Sequence, residues 1–155
     1  MLTFIYFPFL CKAGIEMKWL QTHGKEYAPI VVRLGVSAVF LWFGVMQLLK
    51  PDNFTRYLPE FLYGQPYSQT LVLLNGGFEI VFGLLLLAGL FTRLAAFLLG
   101  FHLLTLTLEF MISFGFTNEV FARDFGLTLA TFAVMLYGPD TWCFDTKRLK
   151  SKLKG

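Results

Sequence analysis

The stretch Leu71 to Arg93, LVLLNGGFEIVFGLLLLAGLFTR, decides the fold because it is almost continuously apolar yet contains one carboxylate, Glu79. At ~1.5 Å per residue, about twenty such residues cross a hydrocarbon core of ~30 Å. Thr92 and Arg93 would then supply a polar stop at the headgroups, so we predict a transmembrane helix over residues 71–91. A carboxylate at that depth is costly in lipid, and Glu79 should therefore face other helices, either protonated or paired.

The composition places the whole chain among membrane proteins. Of its 155 residues, 56% are hydrophobic and 15% are charged, whereas soluble domains carry about 25% charged residues. So short a chain has room for about four spans and for no separate soluble catalytic domain. The net charge of +3 does not favour a nucleic-acid partner. Cys11 and Cys143 form no C-x-x-C motif, so neither a redox dithiol nor a metal site is predicted.

Three further apolar stretches complete an antiparallel bundle of four transmembrane helices. The fold class is therefore all-α, that of a polytopic membrane protein. Pro29 occupies a tolerated helix-start position, and Gly138-Pro139 ends the last helix. The membrane domain covers residues 29–138, with spans over about residues 29–49, 71–91, 94–114 and 120–137.

The two ends of the chain differ from this domain in composition. Residues 1–28 form either an interfacial N-terminal segment or a partly ordered tail. No Lys or Arg precedes the first apolar residues, so we do not expect a cleaved signal peptide. Residues 139–155 form a basic cytoplasmic tail.

Within each span, polar or small residues recur at steps of three and four, which places them on one helix face. We expect these four faces to point into the bundle, because polar groups in hydrocarbon must be satisfied internally. The faces are Arg33/Ser37/Gly44/Gln47, Asn75/Glu79/Gly83, His102/Thr105/Glu109 and Asp124/Thr128/Thr131.

The distribution of positive charge predicts the orientation. Nine Lys or Arg residues flank the spans on the side of the two termini and three on the opposite side, with Arg33 left out because it lies within a span. This asymmetry predicts a cell-membrane protein with both termini inside the cell. Glu79, Glu109 and Asp124 would then share the outer half of the bundle and form an acidic pocket open to the outside.

Three ionisable side chains within the spans are candidates for proton handling, namely Glu79, Glu109 and His102. Intramembrane acids are functional by default, and the alternative for Glu79 is a structural carboxyl that binds Asn75 or a hydroxyl. A lone histidine more often donates to one neighbour. Because His23 lies outside the spans, no bis-histidine haem is predicted.

The candidates for lining a pocket or binding a ligand are Arg33, Asn75, Glu79, Arg123 and Asp124. Arg33 is a structural anchor, a partner of the inner headgroups, or a contact for a quinone or lipid headgroup. Arg123 with Asp124 is either a salt-bridged cap or a gate of the pocket. Contacts with inner lipid headgroups are predicted for Arg93, Lys147, Arg148 and Lys150.

Three stretches resemble the DoxX/DoxD-like family of small four-span membrane proteins, over roughly residues 30 to 138. They are VVRLGVSAVFLWFGVMQLLKPDNF, NGGFEIVFGLLLLAGLFTRLAA and, more weakly, ARDFGLTLATFAVMLYGP. The resemblance implies a four-helix membrane fold. It also implies one of several roles: a membrane subunit of a thiosulfate:quinone oxidoreductase, a member of an oxidative-stress complex, or an assembly factor.

Two functions stay open at this point. The first is an accessory, scaffold or assembly subunit of a membrane protein complex, whose partners are the bilayer and either another membrane protein or further copies of the chain. The second is a quinone-binding subunit of an oxidoreductase that handles protons with buried carboxylates. No cofactor is evident in the sequence, because it contains no haem pair, iron–sulfur cysteine set or flavin fingerprint, so a quinone is the only cofactor weighed.

Overall fold

In the computed structural model, which describes residues 18–59, 61–116, 119–146 and 151, the chain is an all-α bundle. Among these residues, four helices are long and apolar enough to cross a membrane, and a single short turn of helix follows the first of them. No strand occurs among the described residues. The elements are α1 (Lys18–Leu49), α2 (Asp52–Thr55), α3 (Ser68–Ala88), α4 (Thr92–Phe114) and α5 (Glu119–Tyr137). The predicted fold class is confirmed.

Contacts between helices show that neighbours along the chain run antiparallel. Along α1, Arg33 contacts the end of α3 at Leu86, whereas Gln47 contacts Glu79, so the residue numbers run in opposite directions. α4 packs antiparallel on α5 as well, since Gly100 lies beside Thr131 and Thr107 beside Thr128. The end at which α3 and α5 finish and α4 begins is called the basal end, and the opposite end, which carries α2, the distal end.

Small residues let α1 and α3 approach closely. A Cβ atom added to Gly76 would lie 2.9 Å from the carbonyl oxygen of Gly44, and one added to Gly83 would lie 3.2 Å from the Leu41 side chain. Close backbone approach through small residues is a common way to pack helices in a bilayer, where no hydrophobic effect drives helices together. The glycine face predicted for the second span therefore packs against α1.

An apolar core joins α1, α3, α4 and α5. It continues the glycine contact toward the basal end and consists of the buried residues Val36, Phe40, Leu86, Ala95, Ala96, Leu99, Leu103 and Val134. Many large apolar side chains on the outer faces, such as Trp42, Leu84 and Leu129, are half exposed. That pattern suits helices whose outer faces contact lipid or another membrane protein.

The first helix begins before the position predicted for it. Pro29 lies inside α1, which already starts at Lys18, so residues 18–28 are helical and continuous with the first span. Proline is tolerated within membrane helices because neighbouring groups satisfy the backbone carbonyl that it leaves free. The part of the predicted N-terminal segment before Lys18 lies outside the described residues.

The turn between α3 and α4 also differs from the prediction. The second span ends at Ala88 rather than at residue 91, because Gly89 adopts the left-handed conformation with φ 70°. The amide of Leu90 donates to the Leu85 carbonyl and that of Gly89 to the Leu86 carbonyl, which is the Schellman pattern of a helix end. Thr92, predicted as a stop, instead begins α4.

Candidate functional site

A cluster of polar side chains joins α1, α3 and α4 between the apolar core and the distal end. Glu79 is its centre and is 5% exposed. The amide of Gln47 donates to Glu79 Oε2 at 3.0 Å, and that of Asn75 donates to Glu79 Oε1 at 3.0 Å. Asn75 also donates to Gln47 Oε1 at 2.7 Å, which closes a triangle of hydrogen bonds. We call Gln47, Asn75, Glu79 and His102 the Glu79 cluster.

His102 is the member of the cluster that lies on α4. Its Nε2 lies 3.8 Å from Glu79 Oε1, beyond hydrogen-bond distance but close enough for an ion pair when the imidazole is protonated. That nitrogen is buried and has no hydrogen-bond partner among the described residues. The imidazole ring rests against Phe78 at a centroid distance of 5.1 Å. A small approach of the two side chains, or one water between them, would allow a proton to pass.

The structure does not bring Glu109 to this cluster. Glu109 lines a separate cavity of about 320 Å³ at the distal end, together with Arg56, Tyr57 and Tyr63 of the loop between α1 and α3. Neither Glu79 nor Asp124 lines that cavity. The single acidic pocket expected from the three carboxylates is therefore not formed, because the rotation of each helix points its carboxylate in a different direction.

The polar face predicted for the third span is wrong in part. Thr105 is exposed, and its hydroxyl donates to the carbonyl oxygen of His102 in its own helix. A threonine that satisfies its hydroxyl in this way can face lipid at little cost. The buried face of α4 instead consists of Leu99, Leu103, Thr107 and Phe110.

The polar faces of α1, α3 and α5 lie inside the bundle. Arg33, Ser37, Gln47, Glu79, Asp124, Thr128 and Thr131 are all buried, with Gly44 and Gly83 beside them. Asn75 is half-buried. Inward orientation is therefore confirmed for three of the four predicted faces.

Arg123 and Asp124 form an ion pair at the start of α5. Arg123 Nε lies 2.8 Å from Asp124 Oδ1, and the Arg123 guanidinium lies over the Phe43 ring at 5.2 Å. Asp124 is buried, whereas more than half of the Arg123 side chain is exposed. This geometry fits the predicted salt-bridged cap, and the pair also links α5 to α1.

The described contacts of Arg33 lie within the protein. Its side chain is 3% exposed, and its Nε donates to Asp140 Oδ2 at 2.6 Å. Its Nη1 donates to the carbonyls of Leu86 and Leu87 in the last turn of α3. A cation at this place also opposes the partial negative charge of a helix C-terminus. Arg33 therefore fastens α1 to α3 and to the segment after α5.

Asp140 lies within the predicted basic tail, yet the residue is buried in the structure, with 4% of its surface exposed. Burial alone would raise the pKa of its carboxyl, but hydrogen bonds from Arg33 and the Trp142 amide, with the Arg33 charge, hold the pKa below its ordinary value. The sequence feature that could have indicated a buried Asp140 is Arg33, which lies within a span and has no predicted carboxylate partner. A buried guanidinium needs a carboxylate at the same end of the bundle.

The residues that follow Asp140 cover the turn between α3 and α4. Asp145 accepts hydrogen bonds from the amides of Phe91 and Thr92, at 3.1 and 2.9 Å, and so caps the start of α4. Cys143 is fully buried against Gly89, where an added Cβ would lie 2.6 Å from it, and burial raises the pKa of its thiol. The segment 138–146 is thus packed on the basal end rather than extended from it.

The residues predicted at lipid headgroups are only partly described. Arg93 is exposed, and its guanidinium lies beside Gly138 at the basal end. Lys147, Arg148 and Lys150 lie outside the described residues. No group of three or more His, Cys, Asp or Glu that could hold a metal ion occurs in the part of the chain that the structure describes.

Together these features define a multi-pass membrane protein in which four antiparallel helices are held by buried polar pairs. The DoxX family model matches residues 28–113, which is more than half of the chain, and the chain therefore belongs to the DoxX family. The resemblance found in the sequence is thereby confirmed. Searches of curated proteins and of solved structures find no match.

Proposed function

We propose that this DoxX-family protein is a non-catalytic accessory, scaffold or assembly subunit of a membrane protein complex. The observation that carries the proposal is that Glu79, the most deeply placed carboxylate, is bound on both oxygens by Gln47 and Asn75. Neither of the two described cavities is lined by Glu79. The hydrogen bond from Gln47 links α1 to α3 and so supports a structural role for Glu79.

The buried ion pair of Arg33 with Asp140 supports the same role, because it joins α1 to the segment after α5. Breaking a buried pair of this kind is costly. Arg123, whose side chain is more than half exposed, joins α5 to α1 through its contact with the Phe43 ring. A rigid bundle with apolar outer faces is suited to bind another membrane protein, or a second copy of the chain, through those faces.

The proposed setting is the cell membrane, with both termini inside the cell. This orientation rests on the charge asymmetry of nine positive residues against three. The basal end, with Lys25, Arg93 and the start of the basic tail, would then face the cytoplasm.

The test is to identify what the protein carries when it is purified from its own membranes in mild detergent. A scaffold should retain a membrane protein, or further copies of itself, in fixed stoichiometry by native mass spectrometry. The variant Glu79→Gln should retain the same assembly, because glutamine keeps the size of the side chain and one of its two acceptor oxygens. A monomer that carries no protein in fixed ratio would contradict the proposal.

A second candidate is a quinone-binding subunit of an oxidoreductase. It is favoured by the unpartnered Nε2 of His102, 3.8 Å from Glu79, which could move a proton between the two side chains. The cavity lined by Glu109 and Tyr57 has, at about 320 Å³, the volume of a small ligand site. Extractable quinone in the purified protein, with loss of quinone-dependent turnover in folded Glu79→Gln, would support this candidate.

A further inference from the structure

A groove opens between α1 and α5 at the basal end of the bundle. Its volume is about 490 Å³, in the range of ligand sites. Its lining combines apolar with polar and charged residues. Pro29, Val32 and Ala133 form its apolar floor, and Lys25, Arg33 and Tyr137 also line it. We call this the basal groove.

The groove lies where a bilayer would change from hydrocarbon to headgroups. Arg33 is level with the last turn of α3, because it binds the carbonyls of Leu86 and Leu87. Tyr137 is the last residue of α5. Lys25 lies about two turns before Arg33 on α1, hence ~12 Å beyond the end of α3. The headgroup layer is about 5–8 Å thick on each side of a membrane, so Lys25 and Arg33 bracket it.

Arg33 has one nitrogen, Nη2, left for a ligand in this groove. Its Nε and Nη1 are occupied by Asp140 and the carbonyls of α3, whereas its Nη2 donates to no described residue. The side chain is 3% exposed, so a donor held at this place is fixed in position rather than mobile in solvent. Fixed guanidinium donors are well suited to oxygen atoms of a phosphate.

The charge balance of the groove favours an anion. Asp140 also lines it, but its carboxylate is paired with Arg33 at 2.6 Å. Among the described residues that line the groove, Lys25 therefore remains as the excess positive charge, on an exposed side chain. The apolar floor offers nothing to a free inorganic anion, whereas it fits a hydrocarbon chain.

We propose that the basal groove binds one anionic phospholipid, with the phosphate between Lys25 and Arg33 and an acyl chain along Val32 and Ala133. Tyr137 supplies a phenol at headgroup level, where aromatic side chains are commonly found. The proposal concerns a lipid site and holds for either candidate function. Its failure would leave the accessory role unchanged.

The experiment measures the unfolding temperature of the full chain in neutral detergent while short-chain phosphatidylglycerol is added. A saturable rise is expected, because a ligand that binds only the folded state stabilises it. The same concentrations of short-chain phosphatidylcholine and of inorganic phosphate should give no saturable rise. An equal response to phosphatidylcholine would overturn the preference for an anion, and an equal response to inorganic phosphate would overturn the assignment to a lipid.

Two variants test the position of the site. Lys25→Gln should weaken the apparent affinity for phosphatidylglycerol about fivefold, whereas Lys50→Gln, just beyond the distal end of α1, should leave it unchanged. Ala133→Leu fills the apolar floor without altering a charge, so it should abolish the saturable rise while the unfolding temperature without lipid stays near that of the parent. Equal effects of Lys25→Gln and Lys50→Gln, or retained binding in Ala133→Leu, would show that the lipid does not occupy this groove.

Discussion

Arg33 Nε donates a hydrogen bond of 2.6 Å to the carboxylate of Asp140, which lies 107 positions later in the chain. Both side chains are almost fully buried. Because Arg33 also donates to the carbonyls of Leu86 and Leu87, one side chain joins α1, the end of α3 and the segment after α5. A change that removes either charge leaves the other one buried without its partner.

The variant Asp140→Asn should therefore be strongly destabilised. Loss of one partner of a buried ion pair costs about 3–5 kcal/mol, so we expect a large fall in unfolding temperature in detergent. The matched control is Asp52→Asn, at an exposed aspartate whose carboxylate accepts one bond from Gln69. That control should change the free energy of unfolding by no more than about 0.5 kcal/mol. Similar unfolding temperatures for the two variants would show that the ion pair does not stabilise the fold.

The contribution of Asp140 should also depend on pH. Its pKa in the folded protein lies below the ordinary value of 3.8. The stability it contributes is therefore present above that ordinary value and is lost as the pH falls through the lower folded pKa. The difference in unfolding temperature between the parent and Asp140→Asn should be constant between about pH 7 and pH 5 and shrink below about pH 4. A difference that stays constant down to about pH 3 would contradict this origin.

Two substitutions of Glu79 should separate its size from its polarity. Glu79→Leu leaves the amides of Gln47 and Asn75 without their acceptor, so we expect a loss of ~1–3 kcal/mol, visible as a lower unfolding temperature and yield. Glu79→Gln should lose less, because a carbonyl oxygen remains at the centre of the triangle. If both variants unfold and associate like the parent, Glu79 is neither a structural link nor a functional site.

The glycine contact between α1 and α3 offers a test with neighbouring residues. Gly76→Ala would place a Cβ 2.9 Å from the Gly44 carbonyl oxygen, whereas nothing lies within 4 Å of a Cβ at Gly77. Gly76→Ala should force the helices apart and cost about 1–3 kcal/mol. Gly77→Ala should be neutral or slightly stabilising, because alanine is the better helix former. Equal unfolding temperatures for the two variants would contradict the close packing.

The orientation can be tested with single cysteines in a background that lacks Cys11 and Cys143. In intact cells, Lys50→Cys at the distal end should react with a membrane-impermeant maleimide. Ser151→Cys, in the predicted cytoplasmic tail, should react only after the membrane is opened. The reverse pattern would place the termini outside the cell.

Much of the architecture was predictable because it depends on local periodicity. Apolar runs about twenty residues long indicated four spans, and the steps of three and four placed Ser37, Gln47 and Thr128 on inward faces. The prediction was wrong for Thr105, because its hydroxyl donates to a backbone carbonyl of its own helix and needs no partner inside the bundle. It was also wrong for the end of the second span, because the left-handed conformation of Gly89 ends that helix. The start of α1 differs from the prediction because Pro29 is compatible both with a helix start and with a continuing membrane helix.

The sequence by itself determined that this chain spans a membrane four times with a carboxylate deep inside, since length, hydropathy and helical period are properties of each segment alone. Only the tertiary structure decided which polar groups meet. In that structure, His102 Nε2 lies 3.8 Å from Glu79 Oε1, Glu109 lines a separate cavity, and Arg33 pairs with Asp140. Those pairings depend on the rotation and register of one helix against another. Rotation and register are set by the packing of side chains from different segments, which no single segment encodes.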